Sequence, residues 1–248
     1  CIRDRFTFTA LAGTPLKKIR DALTENGQYL PFDPPLVEAG ATLGGTVAAG
    51  LNGPGGFRFG TLRDFILGAQ YVDGNGEVLR SGGKVVKNAA GFDYHRFLVG
   101  SLGQFGIITE LTFKVFPEKP DTATITWSCG SMGDALELLR ELSLGPWELD
   151  ALDIAAEGFE VIARLCGETE ALGPRINRLK ESAQRHCEVV RGEETEKLWE
   201  SRNEFGWMPS DHVLAKIPVT PGEISEFDEL LGDAGAIRNY SLGGNVAW

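Results

Sequence analysis

One stretch of the sequence concentrates glycine in a way that suits close contact between the backbone and a ligand. The stretch GATLGGTVAAGLNGPGG, Gly40–Gly56, holds seven of the 32 glycines of the chain. Apolar residues such as Leu43 and Val47 are threaded through it, which is not the composition of a flexible linker. The pattern predicts a folded segment whose backbone is closely approached by another group.

The same stretch predicts a short helix with an anion-binding end. Thr42 stands at the cap position of a helix over 43–49, and we expect the first N–H groups of that helix to point outward without partners. The positive end of the helix dipole would lie behind them, and neither Gly44 nor Gly45 has a side chain to keep a ligand away. Such an end suits a diphosphate or the polar edge of a flavin. A glycine-rich turn packed against another backbone explains the residues equally well, because an isolated glycine motif is weak.

Other nucleotide-binding and catalytic motifs are absent from the sequence. There is no GxxxxGK[ST] run, which excludes a P-loop, and no GxGxxG that meets the requirements of a dinucleotide site. There is no GxSxG, and no catalytic base can be named. The cysteines form no CxxC pair and the histidines complete no metal-ligand spacing. We therefore expect reduced thiols, with neither a metal nor an iron–sulfur cluster in this chain.

Composition narrows the classes of function further. The net charge is -11, and a diffuse excess of acidic residues argues against a nucleic-acid binder, which needs a basic face. No apolar run approaches the length of a membrane span. The expected location is the cytoplasm, with any contact to the inner membrane made through partner proteins. The first residues carry neither an initiator Met nor a signal segment, which suggests a fragment.

The first half of the sequence alternates strands and helices. Residues 6–9 read as a half-buried strand, and Thr14 is expected to cap a helix that begins at Pro15. Two further strands are predicted on either side of the turn Asp73–Gly76. The run GIITELTFKVFPEKP predicts another strand, followed by a domain boundary near its prolines. The helix and this last strand should each bury one set of apolar side chains, Leu16, Ile19 and Leu23 in the helix and Leu111, Phe113 and Val115 in the strand.

The second half has a different order of elements. From TATITWSC to CEVVRG the sequence reads βαββαβ, which is the order of the ferredoxin-like motif. Its second helix contains Pro174, which we expect to delay or kink it. A further helix at EKLWESRNEF and a β, α, β series follow, and that series could begin another such half.

The central part of the first half resembles a known flavoprotein family. The run from ATLGGTVAAGLNG through FGTLRDFILGAQYVDGNGEVLRSGGKVVKNAAGFDYHRFLVGSLGQFGIITELTFKVFP is similar to the second FAD-binding subdomain of PCMH-type (vanillyl-alcohol-oxidase-type) flavoproteins. Within that superfamily it resembles the FAD-binding E subunits of bacterial glycolate oxidases, above all through GGKVVKNAAGFD. The implied fold is α+β, with a second FAD subdomain over 1–118 and a ferredoxin-like cap region over 119–248.

The resemblance also implies where FAD lies. Three groups of residues are expected to bind or organise the cofactor: the diphosphate and ribityl group Gly40, Ala41, Thr42, Gly44, Gly45, Asn52 and Gly53; the loop under the cofactor Gly60, Arg63 and Asp64; and the adenine-side backbone Gly103, Gly106, Ile107 and Ile108. For Asp64 a turn cap is an equally good reading, and Arg63 could be a surface cation. Lys87 and Asn88 could hold a loop or meet substrate, and His95 reads as a structural histidine.

The implied activity is oxidation of a small 2-hydroxy acid within a glycolate oxidase complex. The substrate would pass a hydride to the flavin, and electrons would continue to an iron–sulfur subunit beside a homologous FAD-binding D-type subunit. The family's first FAD subdomain should precede Phe6, and the family's cap usually continues past the end of this sequence. The alternatives are therefore a non-catalytic structural or interaction subunit, which would bind no FAD, and a general nucleotide-binding module, which would bind ADP as tightly as FAD.

Overall fold

The computed structural model describes residues 6–83 and 92–248. Its elements up to the end of the predicted first half are β1 (Thr7–Leu11), α1 (Leu16–Thr24), β2 (Gln28–Tyr29), α2 (Leu43–Ala49), α3 (Gly56–Phe59), α4 (Leu62–Phe65), β3 (Ile66–Val72), β4 (Val78–Gly82), α5 (Tyr94–Phe97), β5 (Ile107–Lys114) and β6 (Phe116–Pro117). They are followed by β7 (Asp121–Ser128), α6 (Met132–Leu144), β8 (Ala151–Ala155), β9 (Glu160–Gly167), α7 (Thr169–Ala183), β10 (Cys187–Arg191), α8 (Glu193–Asn203), β11 (Ile217–Pro218), α9 (Ile224–Asp233), β12 (Asn239–Ser241) and β13 (Val246–Ala247).

The chain forms two compact units, and each is discontinuous in sequence. The first unit comprises the residues up to Gly53 together with Gly60–Glu118. The second unit comprises Pro54–Phe59 together with Lys119–Trp248. A short piece of the first half is therefore packed with the second unit, a feature that a single boundary near residue 118 does not include.

The first unit is built on an antiparallel sheet of order β1-β5-β3-β4. The predicted face of β5 is buried, since Leu111 and Phe113 in the strand and Val115 directly after it are all 0% exposed. Phe113 stacks on Phe8 of the neighbouring strand, with ring centroids 5.9 Å apart. The alternation of apolar and polar residues therefore identified this strand and its buried face correctly.

Helix α1 packs the predicted apolar face into the same unit but starts one residue later than expected. Its buried residues are those that share a face at helical spacing, Leu16, Ile19 and Leu23. Pro15 is the cap residue and makes no side-chain cap hydrogen bond, so the prediction that Thr14 caps the helix is wrong. Instead, the Thr14 carbonyl accepts a hydrogen bond from the Leu43 N–H at 3.0 Å.

The second unit holds a sheet of order β10-β7-β9-β8-β12-β13-β11. Its first six elements, β7 to β10 with α6 and α7, have the predicted order βαββαβ. Helix α7 begins at Thr169 and contains Pro174, so the proline does not delay its start. The strands of the closing series, β11, β12 and β13, all join this same sheet.

The two faces of this second sheet differ in character. One face packs on α6, α7 and α9 around fully buried residues such as Trp127, Ile154 and Leu138. On the other face Ala151 and Ile162 pack with Trp199 of α8. The Trp199 indole Nε1–H donates to the Thr124 hydroxyl of β7 at 2.8 Å, and Thr124 is 0% exposed. This buried hydrogen bond, set within an apolar cluster, helps to hold helix α8 on the sheet.

Replacing Thr124 with valine is expected to destabilise the protein by about 1–3 kcal/mol, because the buried indole N–H loses its acceptor while the side-chain shape is kept. The free energy of unfolding is to be measured by urea denaturation. Thr126→Val is the matched control, since Thr126 is only half-buried and lies on the same face of β7. Equal effects of the two substitutions would contradict the importance of this hydrogen bond.

Candidate functional site

The glycine-rich stretch forms the short helix α2, and its cap is the predicted one. The Thr42 hydroxyl accepts a hydrogen bond from the Gly45 N–H at 3.2 Å. The helix ends at Gly50, whose φ of 63° is left-handed and therefore favours glycine. Thr46 and Val47 are buried, so α2 is held against the rest of the first unit.

The first-turn N–H groups of α2 are not free, and the prediction that they point outward without partners is wrong. The Leu43 N–H donates to the Thr14 carbonyl at 3.0 Å, and the Gly44 N–H donates to the Ala12 carbonyl at 2.7 Å. The turn between β1 and α1 therefore supplies the acceptors that a ligand was expected to supply. The sequence reasoning missed Ala12 and Thr14 because nothing in their residue types marks them as partners of a helix 30 positions later along the chain.

The glycines of the predicted site fall into two classes. A Cβ atom on Gly44 would lie 2.6 Å from the Ala12 Cβ and 3.0 Å from the Ala12 carbonyl oxygen, so packing alone requires this glycine. A Cβ on Gly40 would meet no atom of the described residues within 4 Å, and one on Gly45 would meet only the Thr42 hydroxyl, at 3.1 Å. Gly45 is exposed. Gly40 and Gly45 thus lie at the surface of the described part of the chain, whereas Gly44 is buried.

At the start of β5, one glycine is likewise packed against other residues and another is not. Gly106 is packed, because a Cβ there would lie 2.5 Å from the Val72 carbonyl oxygen. Gly103 has a φ of 77° and, among the described residues, no atom within 4 Å of its Cβ position. Ile107 beside it is 72% exposed. Bare backbone and an exposed apolar side chain therefore lie side by side at this strand entry.

The structure brings the glycine-rich turn and the β5 entry together through one residue. The Ala12 carbonyl accepts from the Gly44 N–H, and the Ala12 N–H donates to the Thr109 carbonyl at 2.8 Å. Thr109 follows Ile108 directly in β5. The Leu16 N–H further donates to the Ala41 carbonyl at 2.8 Å, which fixes the turn before α2.

A second group of predicted residues follows α2 and makes contacts that stabilise turns. The Asn52 side chain accepts from the Leu62 N–H at 2.5 Å and donates to the Gly50 carbonyl at 3.2 Å. The Gly53 N–H donates to the Phe32 carbonyl at 2.9 Å. These contacts close the loop between α2 and α4 from its two ends.

Asp64 acts as a turn cap in this loop. Its Oδ2 accepts from the Thr61 N–H at 2.8 Å and from the Thr61 hydroxyl at 3.2 Å. Gly60 has a φ of 91°, and a Cβ there would lie 2.6 Å from Asp64 Oδ2. Arg63 is exposed. The carboxylate therefore organises the loop, as one of the two sequence interpretations expected.

His95 lies in the core of the first unit. The residue is 5% exposed. Its backbone N–H donates to the Ser81 hydroxyl at 3.1 Å, and its ring Nδ1 lies 3.2 Å from the same oxygen. Burial lowers the pKa of the imidazole, although Asp93 opposes this effect. These contacts match the reading of His95 as a structural histidine. Lys87 and Asn88 lie outside the described residues.

The lowered pKa of His95 predicts a loss of stability in mild acid. The unfolded chain takes up a proton near pH 6.5 while the folded imidazole resists protonation, so stability present above about pH 6.5 is lost as the pH falls through the folded pKa. We expect His95→Gln to weaken this pH dependence of the unfolding free energy, measured by urea denaturation between about pH 5 and 7. The same substitution at an exposed histidine, His212→Gln, is the matched control.

The comparisons with known proteins fit this geometry. Residues 2–82 match the family described as "FAD binding domain". Residues 2–82 thus resemble part of a FAD-binding domain, as the sequence indicated, and FAD is the cofactor that this match supports. The chain is 37% identical over 197 residues to "Glycolate oxidase subunit GlcE" of Escherichia coli (strain K12), covering 79% of this chain and 52% of that relative. The chain therefore spans about half the length of this relative.

Other relatives and solved structures extend the comparison. "Glycolate oxidase subunit GlcD" of Bacillus subtilis (strain 168) is 35% identical over 119 residues, covering 48% of this chain and 25% of the relative. An alkyldihydroxyacetonephosphate synthase structure matches 99% of this chain and 57% of its own, with a TM-score of 0.69 and 16% identity. At that identity the likeness shows the fold alone. No helix among the described residues has the length and apolar character needed to cross a membrane.

The described residues of the first unit fit FAD. Close approach of a diphosphate needs backbone without side chains, and both Gly40 and Gly45 provide it. A flat aromatic ring system needs an apolar surface, and Ile107 and Leu102 are each 72% exposed around Gly103. Among the described residues, a Cβ on Gly40 or Gly103 would meet no atom within 4 Å, and one on Gly45 would meet only the Thr42 hydroxyl.

Proposed function

We propose that this chain is the FAD-binding part of an oxidoreductase subunit that acts on a small 2-hydroxy acid, such as glycolate, within a multi-subunit complex. The observation that carries the proposal is the bare, exposed backbone at Gly40, Gly45 and Gly103, on a unit that matches a FAD-binding domain. The similarity to glycolate oxidase subunits supports the substrate class.

Some residues of the first unit would contact FAD, and others would hold the backbone of the site in shape. In this proposal Gly40, Ala41, Thr42 and Gly45 run along the diphosphate and ribityl chain, and Gly103, Ile107 and Ile108 face the adenine. Gly44, Gly106, Gly60 and Asp64 act indirectly, because they hold the backbone in shape through contacts within the unit. Bound FAD supplies two-electron redox chemistry, while the protein orients the cofactor and the substrate. Electrons would continue to an iron–sulfur subunit in a complex that also holds a D-type FAD-binding subunit.

A second candidate is a structural or interaction subunit that keeps the fold without FAD. It is favoured by the hydrogen bonds that already occupy the first N–H groups of α2, since these leave less of the helix end for a phosphate. The two candidates make opposite predictions for flavin binding. The third alternative, a general nucleotide-binding module, differs from both candidates because it would bind ADP as tightly as FAD.

The deciding experiment is a visible absorption spectrum of the purified chain before and after incubation with FAD and desalting, followed by titrations with FAD and with ADP. A retained flavin band and saturable binding, tighter for FAD than for ADP, would support the proposed function. A colourless protein with no saturation would support the structural subunit. Equal affinities for FAD and ADP would favour the nucleotide module.

The proposed complex is tested by co-purification. A tagged chain should retain a D-type flavoprotein subunit and an iron–sulfur subunit when the three are produced together, and glycolate should bleach the flavin band of the purified complex. If the complex assembles but glycolate does not bleach the flavin band, the proposed partners would be supported and the proposed oxidation of glycolate would be wrong.

A further inference from the structure

A short segment of the chain lies in sequence between two sets of predicted cofactor-binding residues of the first unit, yet it belongs to the second unit. Asn52 and Gly53 precede it and Gly60–Asp64 follow it, all in the first unit. The segment itself, Pro54–Phe59, is packed in the second unit and contains α3. The segment is joined directly to Gly53 at one end and to Gly60 at the other.

One anchor of the segment is an aromatic ring. Phe57 packs against the main apolar core of the second unit. A Cβ on Gly243 would lie 2.6 Å from the Phe57 Cε2 atom, so glycine is needed there for the ring to fit. Gly243 also has a φ of 65° and its N–H donates to the Leu152 carbonyl at 2.8 Å. The ring therefore rests on a backbone that is itself held to strand β8.

The second anchor is a buried carboxylate. Asp150 is 0% exposed, and its Oδ1 accepts from Arg58 Nη1 at 2.8 Å. Its Oδ2 accepts from the Lys119 ammonium group. Arg58 Nη1 also donates to the Glu148 carbonyl at 2.9 Å. Each oxygen of Asp150 is thus paired with a cation from a different part of the chain.

The two cations, Arg58 and Lys119, belong to the two separate pieces of chain that make up the second unit. Arg58 lies in the inserted segment, and Lys119 is the first residue of the continuous part. The ring of Phe59 adds to the contact, with the Arg58 Cζ 5.4 Å and the Lys119 Nζ 4.4 Å from its centroid. A buried carboxylate that loses one partner is strongly destabilised, so this arrangement favours a single position of the segment.

We propose that Asp150 is a positioning residue for the FAD site, which it serves by holding the segment 54–59 through Arg58. This inference rests on the proposed function. By fixing the segment, the carboxylate keeps Asn52 and Gly53 on one side and Gly60–Asp64 on the other in their binding conformation before the cofactor arrives. Such preorganisation lowers the conformational cost of binding.

The test compares Asp150→Asn with Asp153→Asn. Asp153 is a matched control because it is also buried in the second unit and paired with an arginine, Arg202, at 3.1 Å, but none of its hydrogen bonds or ion pairs among the described residues reaches the segment. Two quantities are measured on the full chain: amide hydrogen exchange across 53–64 without ligand, and the Kd for FAD. Arg58→Gln is the second variant, which leaves Asp150 paired with Lys119 if Asp150→Asn fails to fold.

We expect exchange across 53–64 to rise at least about tenfold in Asp150→Asn and the Kd for FAD to rise about tenfold, with Asp153→Asn unchanged in both. Unchanged exchange in a folded Asp150→Asn or Arg58→Gln protein would overturn the inference, as would an equal change in Asp153→Asn. If the wild-type chain binds no FAD, the proposed function fails, and the exchange data still decide whether Asp150 holds the segment.

Discussion

Gly45→Val is expected to weaken FAD binding by about tenfold to hundredfold, because a steric conflict of about 1–3 kcal/mol would arise where the ligand meets the backbone. Gly45 is exposed, and among the described residues a Cβ there would meet only the Thr42 hydroxyl, at 3.1 Å. The substitution should therefore change the unfolding free energy by less than about 1 kcal/mol. The loss of affinity would be a ligand effect and not a loss of fold.

The measurement is a fluorescence titration with FAD, accompanied by urea denaturation of the same samples. Gly133→Val is the matched control, since Gly133 also lies in the first turn of a helix capped by a hydroxyl, Ser131, but in the second unit. It should leave the Kd for FAD unchanged. A Gly45→Val protein with wild-type affinity would show that FAD does not lie along this backbone.

Gly44→Ala is expected to destabilise the first unit by about 1–3 kcal/mol, although the substitution adds only one methyl group. The new Cβ would lie 2.6 Å from the Ala12 Cβ and 3.0 Å from the Ala12 carbonyl oxygen, both in a neighbouring turn. That turn cannot move away freely, because the Ala12 N–H is bonded to the Thr109 carbonyl of β5.

Gly45→Ala is the control for this second prediction. A glycine-to-alanine change inside a helix normally stabilises it by up to about 1 kcal/mol, so the two neighbouring substitutions should have effects of opposite sign. Urea denaturation midpoints are sufficient to separate them. Similar midpoints for the two variants would mean that α2 shifts away from Ala12, and the packing role of Gly44 would then be wrong.

Local sequence patterns were enough to predict most strands and helices. The alternation in β5 and the helical spacing in α1 each identified the buried face, because burial of one face imposes a period on the residues of that element. Exact ends were less predictable. Thr14 has the residue type of a cap, but its carbonyl is used by Leu43, a contact that no local pattern reveals.

The sequence singled out the glycine-rich region as the candidate site, but it did not indicate which glycines of that region are required by packing. Gly44 and Gly45 are identical and adjacent in sequence, yet only Gly44 faces Ala12. Whether a glycine serves packing or a ligand depends on distant residues that fold against it. The inserted segment 54–59 was missed for the same reason, since Arg58 meets its carboxylate partner 92 positions later.

The discontinuity of the two units has a consequence for how the protein is made and dissected. Residues 54–59 leave the ribosome before Lys119 and the strands that receive them, so the second unit cannot be completed until its own C-terminal part has been synthesised. The segment 54–59 can therefore reach its final packing only after those later residues have been synthesised. A cut after Glu118 would separate Phe57 from Gly243 and Arg58 from Asp150, and neither unit can be expressed as one uninterrupted piece with all its parts.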